Sequence, residues 1–403
     1  MSRVMLVCPE PLGHGHPAGV GVRFVEMAHV LRGDGHEVTV LSPDAGAIEG
    51  CRAVAIGGEA FARVSSESDV AVVQGHIINA FGQHARPIPT VIDLYDPFII
   101  ENLNYYAERG TEVFQYDHLT VMNSLVRGDF FLCASEAQRL FYLGLMVAAG
   151  RLNPMLFEAD PRLESLIRIA PFGVQAPRNP KPRRAHDILF GGIYDWYEPA
   201  TAIEAVAIAK RSMPEVTLTF TRHPNPDITP QGKLAEAIEY VRRKRYDFVR
   251  FEPWAAYTER AAYFEQFGLA LLTFPRSLET DLSMRTRIYD YLWCGLPVIT
   301  SSAPGTDELL VRYGAGSVIA TDAPETFAGE IVALLRDRER YERMVTGGQQ
   351  FVREHQWDRT LMPLREFCRA PRFEKTKEIF ALPPAIRERP LSILARIRRR
   401  LRA

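Results

Sequence analysis

The stretch Ser283–Leu310, SMRTRIYDYLWCGLPVITSSAPGTDELL, decides the fold. Tyr289, Leu292 and Trp293 recur at helical spacing and share one face. Gly295 can take the left-handed conformation that ends a helix, and Pro297 follows two residues later. Val298 and Ile299 open a short apolar strand. The loop SSAPGTDE is rich in turn formers, and Thr306 or Asp307 is placed to cap a helix beginning near Glu308. Helix, tight turn, strand, loop and helix make half of an α/β unit, and open α/β sheets bind ligands where strands end and helices begin. Arg285, Arg287 and Asp290 belong to this segment. Arginine forks suit phosphate oxygens, and carboxylates suit sugar hydroxyls. From the residues alone, a plain connection with solvated charges is the alternative.

The run YDYLWCGLPVITSSAPGTDELL resembles the donor-site segment of GT-B glycosyltransferases, specifically the family-four-like group, also called group 1. The shared pattern is an acidic residue five before a Gly, then Gly-x-Pro-Val, a short strand and a Gly-x-x-Glu turn. The resemblance implies that Asp290 holds the ribose of a nucleotide sugar, where the family usually has Glu, and that Glu308 matches the later Glu. The family's earlier Glu, which contacts the donor sugar, falls on Leu282 here, with Glu279 and Asp281 nearby but off the spacing.

A chain of 403 residues has room for two domains, each with its own core. A net charge of −1 gives no sign of nucleic-acid binding. The five cysteines are scattered without metal spacing, and Cys8, Cys133 and Cys294 sit in apolar runs, which reads as buried thiols in a reducing cytoplasm. Val4–Val7 is too short for a signal sequence, and no apolar run reaches the roughly 18 residues of a membrane span.

The N-terminal order is strand (RVMLVCPEP), glycine-bearing loop, helix from Val22 to Arg32, then strand (GDGHEVTVLSP). This predicts a parallel sheet with a right-handed crossover. Gly19 and Gly21 let backbone amides approach an anion at the helix start, although the spacing is not the dinucleotide fingerprint. His14 and His16 read as metal ligands or as solvated loop residues. Asp69–His76 and Pro89–Pro97 are two further strands with polar ends. They place His76, Asp93 and Asp96 at the strand edge that faces an active cleft, where such groups can take a proton from an acceptor hydroxyl. A turn role before Pro97 is the alternative for Asp96. The family's histidine contact to the donor sugar falls nearest His76. FFLCAS, followed by a helix capped by Ser135, resembles the family's strand ending in Ser-Glu.

IRIAPFGV resembles the last N-domain strand, and the Pro- and Arg-rich Arg178–Asp187 reads as the linker. DILFGGIYDWYEP opens the second domain with a turn at Gly191 and Gly192. The family's Arg and Lys, which hold the leaving diphosphate, are missing there, and Tyr194, Asp195 and Trp196 stand instead. Arg285 and Arg287 are the replacement candidates, with Arg222 and His223 after the strand VTLTFT as second choice. Trp254, in the turn that holds the nucleobase in the family, stacks on the base or belongs to the core. EHQWDRTLMPLREF resembles the C-terminal crossover onto the first domain. Residues 387–402 hold seven arginines and one glutamate, a charge of +6 against −7 for the remainder. Ile393, Leu394, Ile397 and Leu401 share one face of a helix that Pro390 can start, as in a basic amphipathic segment on an anionic membrane. The alternative is a disordered basic tail.

The expected architecture is α/β of GT-B type: two Rossmann-like domains facing a cleft, with a C-terminal helix crossing back. Residues 1–175 form the acceptor side, 176–353 the donor side, 354–385 the crossover and 386–403 the basic tail. The resemblance implies transfer of a sugar from a nucleotide-sugar donor to an acceptor hydroxyl, in cell-surface polysaccharide or glycoconjugate synthesis. It implies no metal and no cofactor, the nucleotide sugar being a co-substrate. Catalytic candidates are His76, Asp93 and Asp96. Donor-binding candidates are Gly19, Gly21, Gly191, Gly192, Arg222, His223, Trp254, Arg285, Arg287, Asp290, Thr306 and Glu308. Expected partners are the donor, a hydroxyl acceptor that a lipid can carry, and an anionic membrane surface through the tail, with no nucleic acid. The expected location is cytoplasmic and peripheral at the inner membrane face. A sugar-nucleotide epimerase using Glu279 or Asp281, or a silent nucleotide-sugar-binding partner, are the competing readings.

Overall fold

The structure is a computed structural model that describes residues 1–13, 17, 19–105, 110–180, 186–222 and 231–377. Runs such as Val70–Val73, Phe130–Cys133 and Leu269–Leu272 are buried along their whole length. Strands apolar on both faces need cover on both, which is the condition of a parallel sheet wrapped by helices. Two such sheets form. The first contains β1 (Arg3–Val7), β2 (Glu37–Ser42), β3 (Arg52–Ala55), β4 (Val70–Val73), β5 (Thr90–Asp93), β6 (Phe130–Cys133) and β7 (Ile167–Ile169). Their order is β3-β2-β1-β4-β5-β6-β7, and every pairing is parallel. The second contains β8 (Asp187–Gly192), β9 (Thr217–Thr221), β10 (Val249–Glu252), β11 (Leu269–Leu272), β12 (Val298–Ser301) and β13 (Gly316–Ile319), ordered β10-β9-β8-β11-β12-β13, again parallel throughout. In each sheet the winding direction reverses at the first strand, so the loops after β1 and β8 sit at switch points. This is the GT-B architecture of the sequence reading.

The chain then returns to the first sheet. Val174 and Gln356 form a parallel bridge, Phe367 stacks on Phe130 with ring centroids 4.8 Å apart, and Ser2 Oγ donates to the Cys368 carbonyl at 2.7 Å. Arg365, on the helix Met362–Arg369, grips Asp34 through two contacts of 2.7 and 2.5 Å.

Local signals behave largely as read. Gly295 has φ of 75°, Ser135 accepts from the Gln138 amide at 3.2 Å, and Cys8, Cys133 and Cys294 are buried free thiols. Three differ. The helix expected near Glu308 begins at Pro304, because proline suits the first helical turn. Asp307 then reaches back to the Ala303 amide at 2.8 Å instead of capping from in front. Gly191 and Gly192 lie inside β8, at a register shift, and not in a turn after it. His14, His16, His223 and the basic tail 386–403 lie outside the described residues.

Candidate active site

A cavity of about 270 Å³ opens between the two sheets, at both switch points. The first sheet contributes Glu10, Gly19, Tyr95, Asp96 and Glu101. The second contributes Gly191, Gly192, Trp254, Tyr257, Arg260 and the segment Ser283–Tyr291. The walls also touch directly. Tyr257 donates its hydroxyl to Glu26 Oε1 at 2.6 Å, and Gln138 Nε2 donates to the Leu282 carbonyl at 3.0 Å.

Second-sheet residues of the lining converge on the helix Thr286–Trp293. Arg287 Nη1 donates to the Gly192 carbonyl, and its guanidinium lies 4.5 Å from the Tyr194 ring centroid and 5.1 Å from that of Tyr197. Its Nη2 is buried without a hydrogen-bond partner, a position that costs free energy unless an acceptor arrives. Gly191 has φ of 84°, and a Cβ there would stand 2.3 Å from the Tyr291 hydroxyl. A Cβ on Gly192 would stand 2.9 Å from Trp254. Both positions need glycine so that the strand can approach the wall. Asp290 accepts from Arg260 Nε at 3.3 Å, while the Arg260 guanidinium sits 3.8 Å from the Tyr257 ring centroid. Burial raises the Asp290 carboxyl, and Arg260 opposes the rise.

Arg285 is placed differently from Arg287. Its two Nη atoms are held by Glu279 at 2.8 and 2.6 Å, and both partners are buried. Glu279, off the family spacing in sequence, is thereby the counter-ion of this arginine. Asp93 also has a structural role. Arg23 holds both of its oxygens, at 2.6 and 3.0 Å, with neither side chain exposed. Asp93 is fully buried in this ion pair and absent from the cavity lining, so the base role read for it does not fit its surroundings.

Asp96 lines the cavity, and Glu101 joins it there, a residue the sequence reading passed over. His76 lies outside the lining, bonded through Nε2 to Asp117 at 2.5 Å and stacked on Tyr116. Of the glycines after β1, Gly19 faces the cavity, whereas the Gly21 amide is taken by Glu10 at 2.9 Å. Trp254 lines the cavity and is not part of the core. Arg222, Thr306 and Glu308 are absent from the lining: Arg222 and Glu308 are exposed, and Thr306 is buried elsewhere. Arg260, Tyr257 and Glu10 carry no motif, and only the packing of the two sheets brings them to the site. Among the described residues, no three His, Cys, Asp or Glu side chains are grouped to hold a metal ion.

Residues 219–366 match the family model described as glycosyl transferase-like. The chain is GT-B in fold, and the matched region falls in its second half. The structural neighbours of this GT-B protein include HepE from Anabaena, solved with UDP and glucose, at TM-score 0.64 and 14% identity over 92% of this chain and 99% of that one. HepE has also been solved with UDP-glucose. Sucrose-phosphate synthase from Thermosynechococcus elongatus superposes at TM-score 0.63 and 14% identity, over 92% and 98% of the two chains. WaaG, a glycosyltransferase involved in lipopolysaccharide biosynthesis, superposes at TM-score 0.56 and 14% identity, over 94% and 100%. No curated protein matches by sequence.

Proposed function

We propose that this protein transfers a sugar from a nucleoside diphosphate sugar to an acceptor hydroxyl, with its donor site on the second sheet. The observation that carries the reading is the convergence of Arg287, Asp290 and Trp254 on one cavity at that sheet's switch point. Arg287 offers an unpartnered donor to a phosphate oxygen, Asp290 offers a carboxylate to ribose hydroxyls, and Trp254 offers a face to the base. Preorganised positive charge of this kind stabilises a leaving diphosphate. UDP sugars are the donors to try first, since UDP and UDP-glucose are the ligands of the neighbouring HepE structures.

The acceptor reading extends to a membrane. No described helix is long and apolar enough to cross one. The basic segment 387–402 suits an anionic surface, and an acceptor carried by a lipid in cell-surface polymer synthesis would be met there.

Thermal shift against UDP-, GDP- and dTDP-sugars tests the donor site, because a ligand at 100 times its Kd adds about 2.7 kcal/mol to the native state. Release of nucleoside diphosphate with sugar on an acceptor is the expected outcome. Binding without turnover points to a silent binding partner, and epimer or free sugar formed without acceptor points to an epimerase.

A further inference from the structure

The helix Glu136–Ala148 is apolar on both its inner and its outer face. Inward, Tyr142 and Met146 are buried in the core of the first domain. Outward, Leu140, Gly144, Val147 and Ala148 are exposed, and Leu140 and Val147 are each 61% accessible. The helix Pro154–Ala159 follows and exposes Met155 and Phe157, at 52% and 59%. Between Glu136 and Glu158 the sequence has no Asp or Glu. Its two arginines are held by the protein: Arg151 is buried, and Arg139 donates to the carbonyls of Ile167 and Arg162. A single exposed apolar side chain is ordinary. A surface helix normally turns charge to water, and one that is apolar all round belongs to an interior or an interface.

The C-terminal segment indicates what covers this face. Glu374 Oε2 accepts from Arg151 Nη2 at 3.3 Å, and its amide donates to Asp129 Oδ1 at 2.8 Å. Thr376 Oγ1 accepts from Asn153 Nδ2 at 2.7 Å, and Lys377 Nζ donates to Asp129 Oδ1 at 2.6 Å. Asn153 also caps the helix Pro154–Ala159 by accepting from the Leu156 amide at 3.0 Å. The chain is thus pinned at the joint between the two helices, two residues from Met155. From Lys377, residues 378–386 reach at most about 35 Å before the segment 387–402 with its charge of +6. At the other end of the face, Gln138 stands two residues before Leu140 and donates to the Leu282 carbonyl at 3.0 Å, beside the cavity wall at Ser283. The helix of 13 residues, about 20 Å long, therefore runs from the root of the tail to the rim of the cavity.

Resting on the membrane reading above and extending it from the tail to the folded domain, we propose that the helices Glu136–Ala148 and Pro154–Ala159 are the face that meets an anionic bilayer. The charges are complementary: the tethered arginines take the headgroups, and a face free of carboxylates takes the layer beneath them. Leu140, Val147, Met155 and Phe157 enter the interface. A basic segment or a small apolar patch holds weakly alone, and the two together hold well. The rim of the cavity then lies beside the bilayer, where a hydroxyl on a lipid headgroup is presented to it.

The test uses the full chain and vesicles of phosphatidylcholine with phosphatidylserine at low salt. A variant carrying both Val147→Ser and Phe157→Ser keeps the charge of the parent, and both positions are exposed, so its thermal melting is expected to be unchanged. Its partitioning onto the vesicles is expected to fall about tenfold or more, the scale of burying one large apolar side chain. Equal partitioning of variant and parent overturns the proposal and leaves the tail reading in place. In a second measurement, Phe157→Trp adds emission to that of the parent's four tryptophans. With vesicles, the added emission is expected to move to shorter wavelength and to be quenched by lipids brominated on their acyl chains. Val311→Trp, at a 73% exposed position on the helix Pro304–Tyr313 of the second domain, is expected to escape quenching. An unquenched Phe157→Trp overturns the proposal. So does short-wavelength emission from Phe157→Trp without vesicles: if removal of residues 386–403 reverses it, the tail itself covers the face, and if dilution reverses it, a second copy does. Turnover of UDP-glucose with a soluble acceptor is expected to be equal in the serine variant and the parent. Its absence from both removes the sugar-transfer reading and leaves the vesicle result standing.

Discussion

Arg285 and Arg287 lie two residues apart, and tertiary contacts separate their roles. Arg285 gives both Nη groups to Glu279 in a buried pair, so Arg285→Ala leaves a carboxylate uncompensated in the interior. The expected loss is about 3–5 kcal/mol of folding stability, read from urea denaturation. Arg287 has a carbonyl and two aromatic rings as company but keeps one buried donor unused. Arg287→Ala is expected to weaken donor binding by about 1.5–3 kcal/mol, the scale of a charge-assisted bond, measured by calorimetry, with the fold retained. A variant of Arg287 with unchanged donor affinity would remove it from the site. For Asp290, Asn keeps the shape and one acceptor while losing the charge. Asp290→Asn is expected to raise the donor KM with kcat little changed, as for a residue that binds ground and transition states alike. A loss confined to kcat would assign Asp290 to proton transfer instead.

At the scale of elements, the clearest dependence is the helix Met362–Arg369 on the first sheet. Its buried stripe of Leu364, Phe367 and Cys368 supplies the apolar contact, and Arg365 locks it to Asp34. Arg365 holds the Asp34 carboxyl below its usual range against the opposing effect of burial. A folded pKa below the unfolded value near 3.9 makes the pair's contribution complete above that value. The contribution is lost as pH falls through the folded pKa. Asp34→Asn is expected to cost about 1.5–3 kcal/mol at pH 7 and progressively less below pH 4, measured by urea denaturation of both proteins across that range. An equal cost at pH 3 and pH 7 would show that the pair's charge is not what holds the helix.

At the scale of the whole molecule, the site exists only because two sheets, each with its own switch point, face each other. Tyr257 to Glu26, Gln138 to Leu282 and Ser283 to Glu101 are among the hydrogen bonds that join the faces. The same scale holds the charge asymmetry, +6 in residues 387–402 against −7 for the rest. Each basic residue near an anionic bilayer contributes about 1 kcal/mol, screened by salt over a Debye length. Removing residues 386–403 is expected to abolish sedimentation with phosphatidylserine-containing vesicles at low salt. It is also expected to spare donor turnover with a soluble acceptor. Equal sedimentation of both proteins would show that the tail is not an anchor.

Local chemistry was enough to specify much of this protein. Doubly apolar strands separated by amphipathic helices require parallel sheets, and the Gly295-x-Pro297 helix stop and the Ser135 cap act through neighbours a few residues away. The cavity-lining residues Arg287, Asp290, Gly191 and Gly192 were legible because they fall on a contiguous motif or inside one strand. What tertiary structure alone decided is which charges are already spent. Asp93 and Asp96 are three residues apart and equally acidic, yet one meets Arg23 from the helix Gly19–Gly33 and the other meets open cavity. Arg285 and Arg287 divide in the same way, through Glu279. Glu101, Arg260 and Tyr257 were invisible for a related reason. A side chain's free lone pair or unpaired N–H depends on partners distant in sequence, and no local pattern encodes them.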